Sequence, residues 1–516
     1  MAKKGRGRNN GCTALSAVLL MAVLTGACSN SEAGKGGAQD GNKPQADKPF
    51  EISIMTTFRG AEPPGKDNPI GLELEKQLNA KLNITWLSAN NYSDKMNVTL
   101  ASGDMPDLML VENPMLSNII STAKQGAFWD LTSKVKDYPN LMAFPKDSWE
   151  NIKIEGKIYG IPRARPEIGG YGIPMLRKDW LDKLNLKVPE TMDDLYKVLK
   201  AFTEQDPDGN GKNDTIGFSG YVDADGLGRF TWVRDVFNQA NGWKVDGNQI
   251  IHPDVLPGTR DALVWLNRLY KEGLMSQDFA VMKLSQMKDQ LKAGKAGMFS
   301  ESMQQSWIML NDLRKLESKA DYLPLNYVQG PGGKFVGRDS GHFGMYVIPK
   351  KVSEARVNQI LALMDKGSSE PVSDIANFGI KGVHYNETDG MKISTEQAFK
   401  DNVSQEVFGQ IFLFNDKYMR GYATGIPKDY FDRNKSIIDE RSKYSVANPS
   451  LNLISDTGVK YMPEFNKKSQ DLKTKIIMGS EPIEAWDQFT AKLKTDDNFQ
   501  KYVKEMNEAY QKANGK

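Results

Sequence analysis

From Phe50 onward the chain switches between two hydrophobic periods. Ile52 and Ile54 recur at every second residue and predict a strand, whereas Leu72, Leu74, Leu78 and Leu82 recur at helical spacing. Residues 84–87 read as a second strand, 92–102 as a helix and 107–111 as a third strand, with Pro106 forcing the helix to end before it. Strands alternating with helices predict parallel β-α-β units and an α/β lobe. Beyond residue 170 the helical period dominates, over 178–184, 192–203, 259–272 and 284–293. Thr191 stands as N-cap before Met-Asp-Asp-Leu, with Asp194 placed as in a capping box. A strand-like run at 343–348 precedes a helix at 354–365. The segment 484–513 predicts long helices burying Trp486, Phe489, Leu493, Phe499, Tyr502 and Tyr510 along one stripe, and Trp86 and Trp265 also fall on apolar faces. About 470 residues follow the N-terminal segment, more than one core accommodates, so at least two lobes are expected. No repeat with a period of 20–50 residues is visible.

The first fifty residues follow no such pattern. Lys3, Lys4, Arg6 and Arg8 precede an uncharged apolar run at 13–24, and small residues lead into Cys28. That order is a secretory leader, too short for a permanent membrane span. Residues 29–49 are Ser, Glu, Gly, Lys, Gln, Asp and Pro with scarcely an apolar side chain, the composition of a flexible tether. Only Cys12 and Cys28 are present, and Cys12 leaves with the leader, so no internal disulfide is available to the mature chain. With the four leader cations removed, 63 Lys and Arg face 65 Asp and Glu, and no basic stripe of the kind nucleic-acid binding requires is visible.

One motif carries explicit coordination chemistry. In the run from Asp206 to Asp214, Asp206, Asp208, Asn210 and Asp214 occupy positions 1, 3, 5 and 9 of an EF-hand-like loop. Gly211 stands at the sharp turn of position 6, and Lys212 offers its backbone carbonyl at position 7. Hard oxygen donors at this spacing suit Ca²⁺; the alternative is an Asp/Asn/Gly-rich turn without metal. Gly217 stands at position 12, where a bidentate Glu belongs, which leaves Asp214 to take over that role.

Catalytic patterns are missing. His252, His342 and His384 are far apart in sequence, and neither a phosphate loop nor a Gly-x-Ser-x-Gly elbow occurs; Gly330-Pro-Gly-Gly-Lys334 lacks the phosphate-loop spacing. Paired carboxylates for glycoside hydrolysis are unreadable among 65 acids, so a secreted polysaccharide hydrolase stands as the alternative to a binding protein. A surface adhesion or sensor protein is a third reading.

Several fragments in order resemble the extracellular solute-binding proteins of ABC importers, in their oligosaccharide-binding group. They are Leu100-Ala-Ser-Gly-Asp-Met-Pro-Asp107, Gly156-Lys-Ile-Tyr-Gly-Ile-Pro162, Arg177-Lys-Asp-Trp-Leu-Asp-Lys-Leu184 with Pro189-Glu-Thr191, and Lys292-Ala-Gly-Lys-Ala-Gly-Met-Phe299 with Trp307. The segment 476–514 is similar to the large lipoprotein branch of that group. The resemblance implies an α/β fold of two lobes, the second helix-rich, with the ligand in the cleft between them. It further implies a monomeric, non-enzymatic receptor that delivers a carbohydrate to ABC permease subunits. Its anchor would be an acylated Cys28 at the outer face of the cytoplasmic membrane, the plain alternative being an ordinary leader with a chance cysteine. The calcium of the 206–214 loop would be structural. The expected division is leader 1–27, tether 28–49, first lobe 50–165, second lobe 166–325, a first-lobe return at 326–367, and second lobe with C-terminal helices at 368–516. Crossings are expected near 161–176, 323–328 and Gly367. On this reading Phe230, Trp232 and Trp307 wall the cleft with aromatic faces. Arg163 and Tyr171 flank the first crossing, and Glu301, Arg338, Asp339 and His342 lie near later cleft segments. For each aromatic, burial in the core is the competing role.

Overall fold

The computed structural model describes residues 49–58, 62–165 and 172–515. The leader, Cys28, the tether as far as residue 48, and Tyr171 lie outside the described residues. Among those described, no helix is long and apolar enough to cross a membrane.

The first lobe is built on a five-stranded sheet. Phe50–Phe58 pairs in parallel with Ala80–Ser88 on one side and with Leu108–Val111 on the other. His342–Val347 then runs antiparallel between Leu108–Val111 and Gly160–Ala164. The intervening helices, Pro69–Leu78 and Tyr92–Ser102, are the crossovers that parallel pairing demands. The first of these ends earlier than its leucines predict. Asn79 takes a left-handed conformation (φ 50°) and its N–H caps the Glu75 and Lys76 carbonyls, so Leu82 belongs to the next strand and Leu72 faces solvent. Asp107 ties the lobe together. Its carboxylate accepts from Ser53 N and Oγ at 2.9 and 2.8 Å and from Arg356 Nε and Nη2 at 2.8 Å each. Partial burial opposes ionisation there, but these donors win and hold the carboxyl near 2.

The second lobe has a four-stranded sheet in which Ile173–Arg177 runs antiparallel to both Tyr322–Pro324 and Ala296–Glu301, with Ile216–Phe218 parallel to the latter. Thr191 caps Met192–Glu204 as expected, its Oγ1 accepting from Asp194 N at 3.1 Å. Pro257–Lys271, Ile483–Leu493 and Asp497–Ala513 pack together with Asp456–Met478, a 23-residue helix that its internal Pro463 and polar composition conceal from periodicity. Trp265 and Trp486 are buried in this lobe, and Trp86 meets Phe408 edge-on in the other.

Two expected boundaries move. After Tyr322–Pro324 the chain does not return to the first lobe at once. Val328–Gly330 and Gly333–Gly337 form a hairpin against the second-lobe helix Thr231–Asn238, and the first lobe resumes only with His342–Val347. Nor does the chain leave the first lobe near Gly367. That glycine lets the Phe412 ring close in, to 2.3 Å from where a Cβ would stand. Val372, Ala376 and the run from Val407 to Leu413 belong to the first core, so much of 368–413 lies with the first lobe rather than the second.

The second lobe also encloses charge. Lys473 Nζ donates to Asp254 Oδ1 at 2.6 Å, both side chains being buried. Beside them His252, ringed edge-on by Trp243, Phe465, Phe499 and Tyr502, accepts the Asp254 N–H at Nδ1 (3.2 Å). Burial pushes its pKa down to about 4; Asp254 pulls upward, and Lys473 and Arg234 add to the depression. In the unfolded chain the imidazole titrates near 6.5. Between those values only the unfolded chain takes up the proton, so stability is complete above about pH 6.5 and declines on acidification toward 4. His252→Asn, which keeps an acceptor near the Nδ1 position, should flatten urea-unfolding free energy against pH in that window by up to about 1.4 kcal/mol per pH unit. An unchanged slope would mean that His252 protonates equally in both states.

Candidate functional site

The crossing segments frame a cavity of about 970 Å³. Its first-lobe wall begins at Glu112 and Asn113, which follow the carboxyl end of Leu108–Val111, and includes Arg163 on Gly160–Ala164. These are the strand ends at which open α/β sheets place ligands. Ser340, His342 and Phe343 form the floor. The opposite wall comes from Asp225, Trp243, segment 450–466, Tyr502 and Met506. A second cavity of about 340 Å³ adjoins it, lined by Gly172, Trp232, Asn241, Ser300, Arg338 and Asp339 among others. Consecutive residues, Asp339 and Ser340, line the two.

Five of the expected site residues therefore stand at cavity walls: Arg163 and His342 in the larger, Trp232, Arg338 and Asp339 in the smaller. Arg163 is only 1% exposed, and its guanidinium lies 5.9 Å from the Phe343 ring centre. Burial keeps the His342 imidazole neutral to about 4, and its Nδ1 accepts from Gly344 N at 3.1 Å. Arg338 donates to Asp147 Oδ2 at 3.1 Å and to Ser445, joining a first-lobe helix to the floor of the cleft. The Trp232 indole N–H is buried without an acceptor among the described residues.

Three expectations are corrected. Phe230 is fully buried, edge-on to Phe218 at 5.0 Å and Phe279 at 5.8 Å, because it precedes the helix Thr231–Asn238 on its inward side while Trp232 turns to the cavity. Trp307 lies in the apolar cluster behind Ala296–Glu301, against Tyr430 and Arg314, and lines neither cavity. Glu301 is buried in an ion pair with Arg229 at 2.9 Å and accepts the Ser302 N–H, so it positions Arg229 rather than lining the cleft. The residues missed by sequence reasoning are Trp243, Tyr502 and the 450–466 wall. Tyr502 sits on the apolar stripe of a helix and so reads as core, although that stripe's edge reaches the cavity.

The 206–214 loop lies on the second lobe between Met192–Glu204 and Ile216–Phe218. Asp206 folds it: Oδ1 accepts from Gly209 N and Asn210 N at 3.0 Å each, and Oδ2 from Gly211 N at 2.9 Å. The Asn210 amide bridges Asp208 and Asp214 at 2.7 and 3.0 Å. Among the described residues no three His, Cys, Asp or Glu side chains converge as a formed metal cage. The donor set nevertheless fits a hard cation, with three carboxylates, an amide oxygen and the Lys212 carbonyl on one turn, and the Lys295 ammonium already stands as a cation between Asp208 and Asp214. Position 12 cannot carry a Glu. A Cβ at Gly217 would stand 2.6 Å from the Leu199 carbonyl oxygen and 2.9 Å from that of Leu274.

Two α/β lobes joined by several strand crossings, with a cavity of about 970 Å³ lying at those crossings, define a two-lobed solute receptor. The chain belongs to the bacterial extracellular solute-binding protein family, whose profile matches residues 60–357. It is 31% identical over 512 residues to Lipoprotein LipO of Bacillus subtilis (strain 168), covering 96% of this chain and 97% of that one. It is 30% identical over 472 residues to the polygalacturonan/rhamnogalacturonan-binding protein YtcQ of the same organism, covering 90% and 92%. Among solved structures it resembles an EF-hand mutant of the S. pneumoniae ABC-transporter substrate-binding protein FusA in complex with fructo-nystose. The TM-score is 0.64 at 20% identity, over 90% of this chain and 99% of that one.

The two tryptophans separate cleft from core. Trp232→Ala should weaken solute affinity by roughly 2 kcal/mol with little change in melting. Trp307→Ala should cost about 3–5 kcal/mol of stability and leave affinity intact. Titration calorimetry and melting curves on both variants check this, and undiminished affinity in Trp232→Ala would remove that residue from the site.

Proposed function

We propose that this receptor captures an oligosaccharide between its lobes and presents it to the membrane subunits of an ABC importer. The observation that carries the reading is the 970 Å³ cavity at the crossings, at the upper end of the size of small-molecule sites. It combines hydrogen-bonding groups, such as Asn151, Arg163 and Ser340, with the aromatic side chains of Phe343 and Trp243. Sugars demand that mixture, since their hydroxyls need partners and their C–H faces need apolar cover. The names of the relatives support the same ligand class. Hinge closure would bring the Trp232 wall and the Arg163 wall onto the solute together. Arg163 and Arg338 would grip a carboxylate in a fork if the sugar is a uronate.

On this reading Cys28 carries the lipid that holds the receptor at the outer face of the membrane, with 29–49 as its tether. The similarity to a protein named as a lipoprotein supports that role. One acyl chain anchors only marginally, so several are needed. The 206–214 loop would bind one Ca²⁺ through Asp206, Asp208, Asn210, the Lys212 carbonyl and Asp214, and fasten Met192–Glu204 to Ile216–Phe218.

The test is a thermal-stability screen of the purified protein against neutral and uronate oligosaccharides, with mass spectrometry of the mature N-terminus. A bound sugar at 100 times its Kd should add about 2.7 kcal/mol of stability, without turnover, and Cys28 should be the acylated first residue. Hydrolysis of the sugar would favour the polysaccharide-hydrolase reading, and an unmodified Cys28 would end the anchor assignment.

A further inference from the structure

The 206–214 loop holds a cation of its own. Lys295 Nζ stands 2.7 Å from Asp214 Oδ2 and 3.3 Å from Asp208 Oδ2. Strand pairing delivers it there. The Lys295 carbonyl accepts the Ile216 N–H at 2.9 Å, and the next residue opens the parallel register Ile216↔Ala296. The strand that leaves the loop and the strand that Lys295 precedes are therefore side by side, so the ammonium meets the loop's carboxylates at a fixed place. Asp208 is mostly covered, its side chain 10% exposed, whereas Lys295 retains 36%, enough for its side chain to swing into solvent.

The charge balance of the loop gives this contact a consequence. The packing of Gly217 against the Leu199 and Leu274 carbonyls removes the carboxylate that an EF-hand carries at position 12. Three carboxylates remain, and Asp206 already serves three backbone N–H groups. A divalent cation would take Asp208 and Asp214 carboxylate oxygens at about 2.3–2.6 Å, and Lys295 already stands on the Oδ2 of both carboxylates. Two cations cannot share them at that range without strong repulsion.

We propose that Lys295 is a resident cation that calcium must displace. It holds the metal-free loop together and thereby sets a weaker calcium affinity than the loop's own oxygens would give. The proposal rests on the reading of 206–214 as a calcium loop and concerns what regulates it. Exchange of this kind stabilises the turn in both states: without the lysine, the metal-free loop has Asp208 and Asp214 facing each other across the Asn210 amide, with only that amide and the charge of Lys212 to offset them.

The experiment is calcium titration by calorimetry, with melting curves in chelator and in calcium chloride, on the full chain and on Lys295→Met and Lys295→Gln. Both variants should melt below the unmodified protein in chelator, bind Ca²⁺ roughly three- to tenfold more tightly, and gain more from calcium in melting temperature. Gln, which can still donate to one carboxylate, should fall between Met and Lys. Affinity that is unchanged or weaker in the variants overturns the resident-cation role while leaving the calcium loop standing. No binding heat and no melting shift in the unmodified protein overturns the calcium reading itself, and this proposal with it.

Discussion

The molecule depends on one strand placed far from its neighbours in sequence. His342–Val347 enters the first-lobe sheet between Leu108–Val111 and Gly160–Ala164, with Tyr346 opposite Leu110 on one side and Ile161 on the other. Because it arrives after the whole first pass through the second lobe, its pairing joins the two lobes and fixes where the cleft opens. The insertion is tight. Gly344 sits at a register shift with φ 97°, and a Cβ there would lie 2.3 Å from the Val111 carbonyl oxygen. Two residues on, the buried Tyr346 hydroxyl meets Thr56 Oγ1 at 2.7 Å and donates to the Gln410 carbonyl at 2.8 Å. A single side chain thus connects the first strand, the returning strand and the segment that closes the lobe. His342 and Arg163 reach the cavity because this pairing sets their strand ends beside each other.

Much of this was legible in the sequence where one physical signal acted alone. Period-two and short apolar stretches mark four of the five first-lobe strands within a few residues, helical stretches mark many helices of both lobes, and the Thr191 cap forms as its chemistry predicts, whereas the short strands of the second-lobe sheet go unmarked by any period. The misreadings occur where two signals compete. Leu72 and Leu82 fit a helical stripe, but Asn79 ends that helix. Asp456–Met478 is too polar and carries Pro463, so only its packing against Pro257–Lys271 and Asp497–Ala513 stabilises it as a helix. Lobe boundaries were least legible, because a hairpin such as Val328–Gly337 has the same pattern whichever lobe it covers.

The site divides in the same way. Arg163, His342, Arg338 and Asp339 stand at cavity walls, and what points to them is the family resemblance rather than any local period. Aromatic residues could not be sorted by type. Phe230 and Trp232 are two positions apart, yet one fills the core and the other faces a cavity, since helix geometry turns them to different sides. Trp243 and the 450–466 wall come from segments with no motif at all, brought to the cleft only by the packing of the C-terminal helices. The loop at 206–214 is the opposite case: its spacing is readable in the sequence as far as Asp214, with position 12 lacking its carboxylate, but the cation beside it, Lys295, comes from just before a distant strand.

The central claim is that the cavity at the crossings is an interlobe cleft that closes on its solute. Small-angle X-ray scattering measures this most directly, on the mature chain alone and saturated with the oligosaccharide that stabilises it. Hinge closure around a bound solute predicts a smaller radius of gyration in the saturated sample. An unchanged radius at full saturation would contradict capture between the lobes and place the binding surface elsewhere.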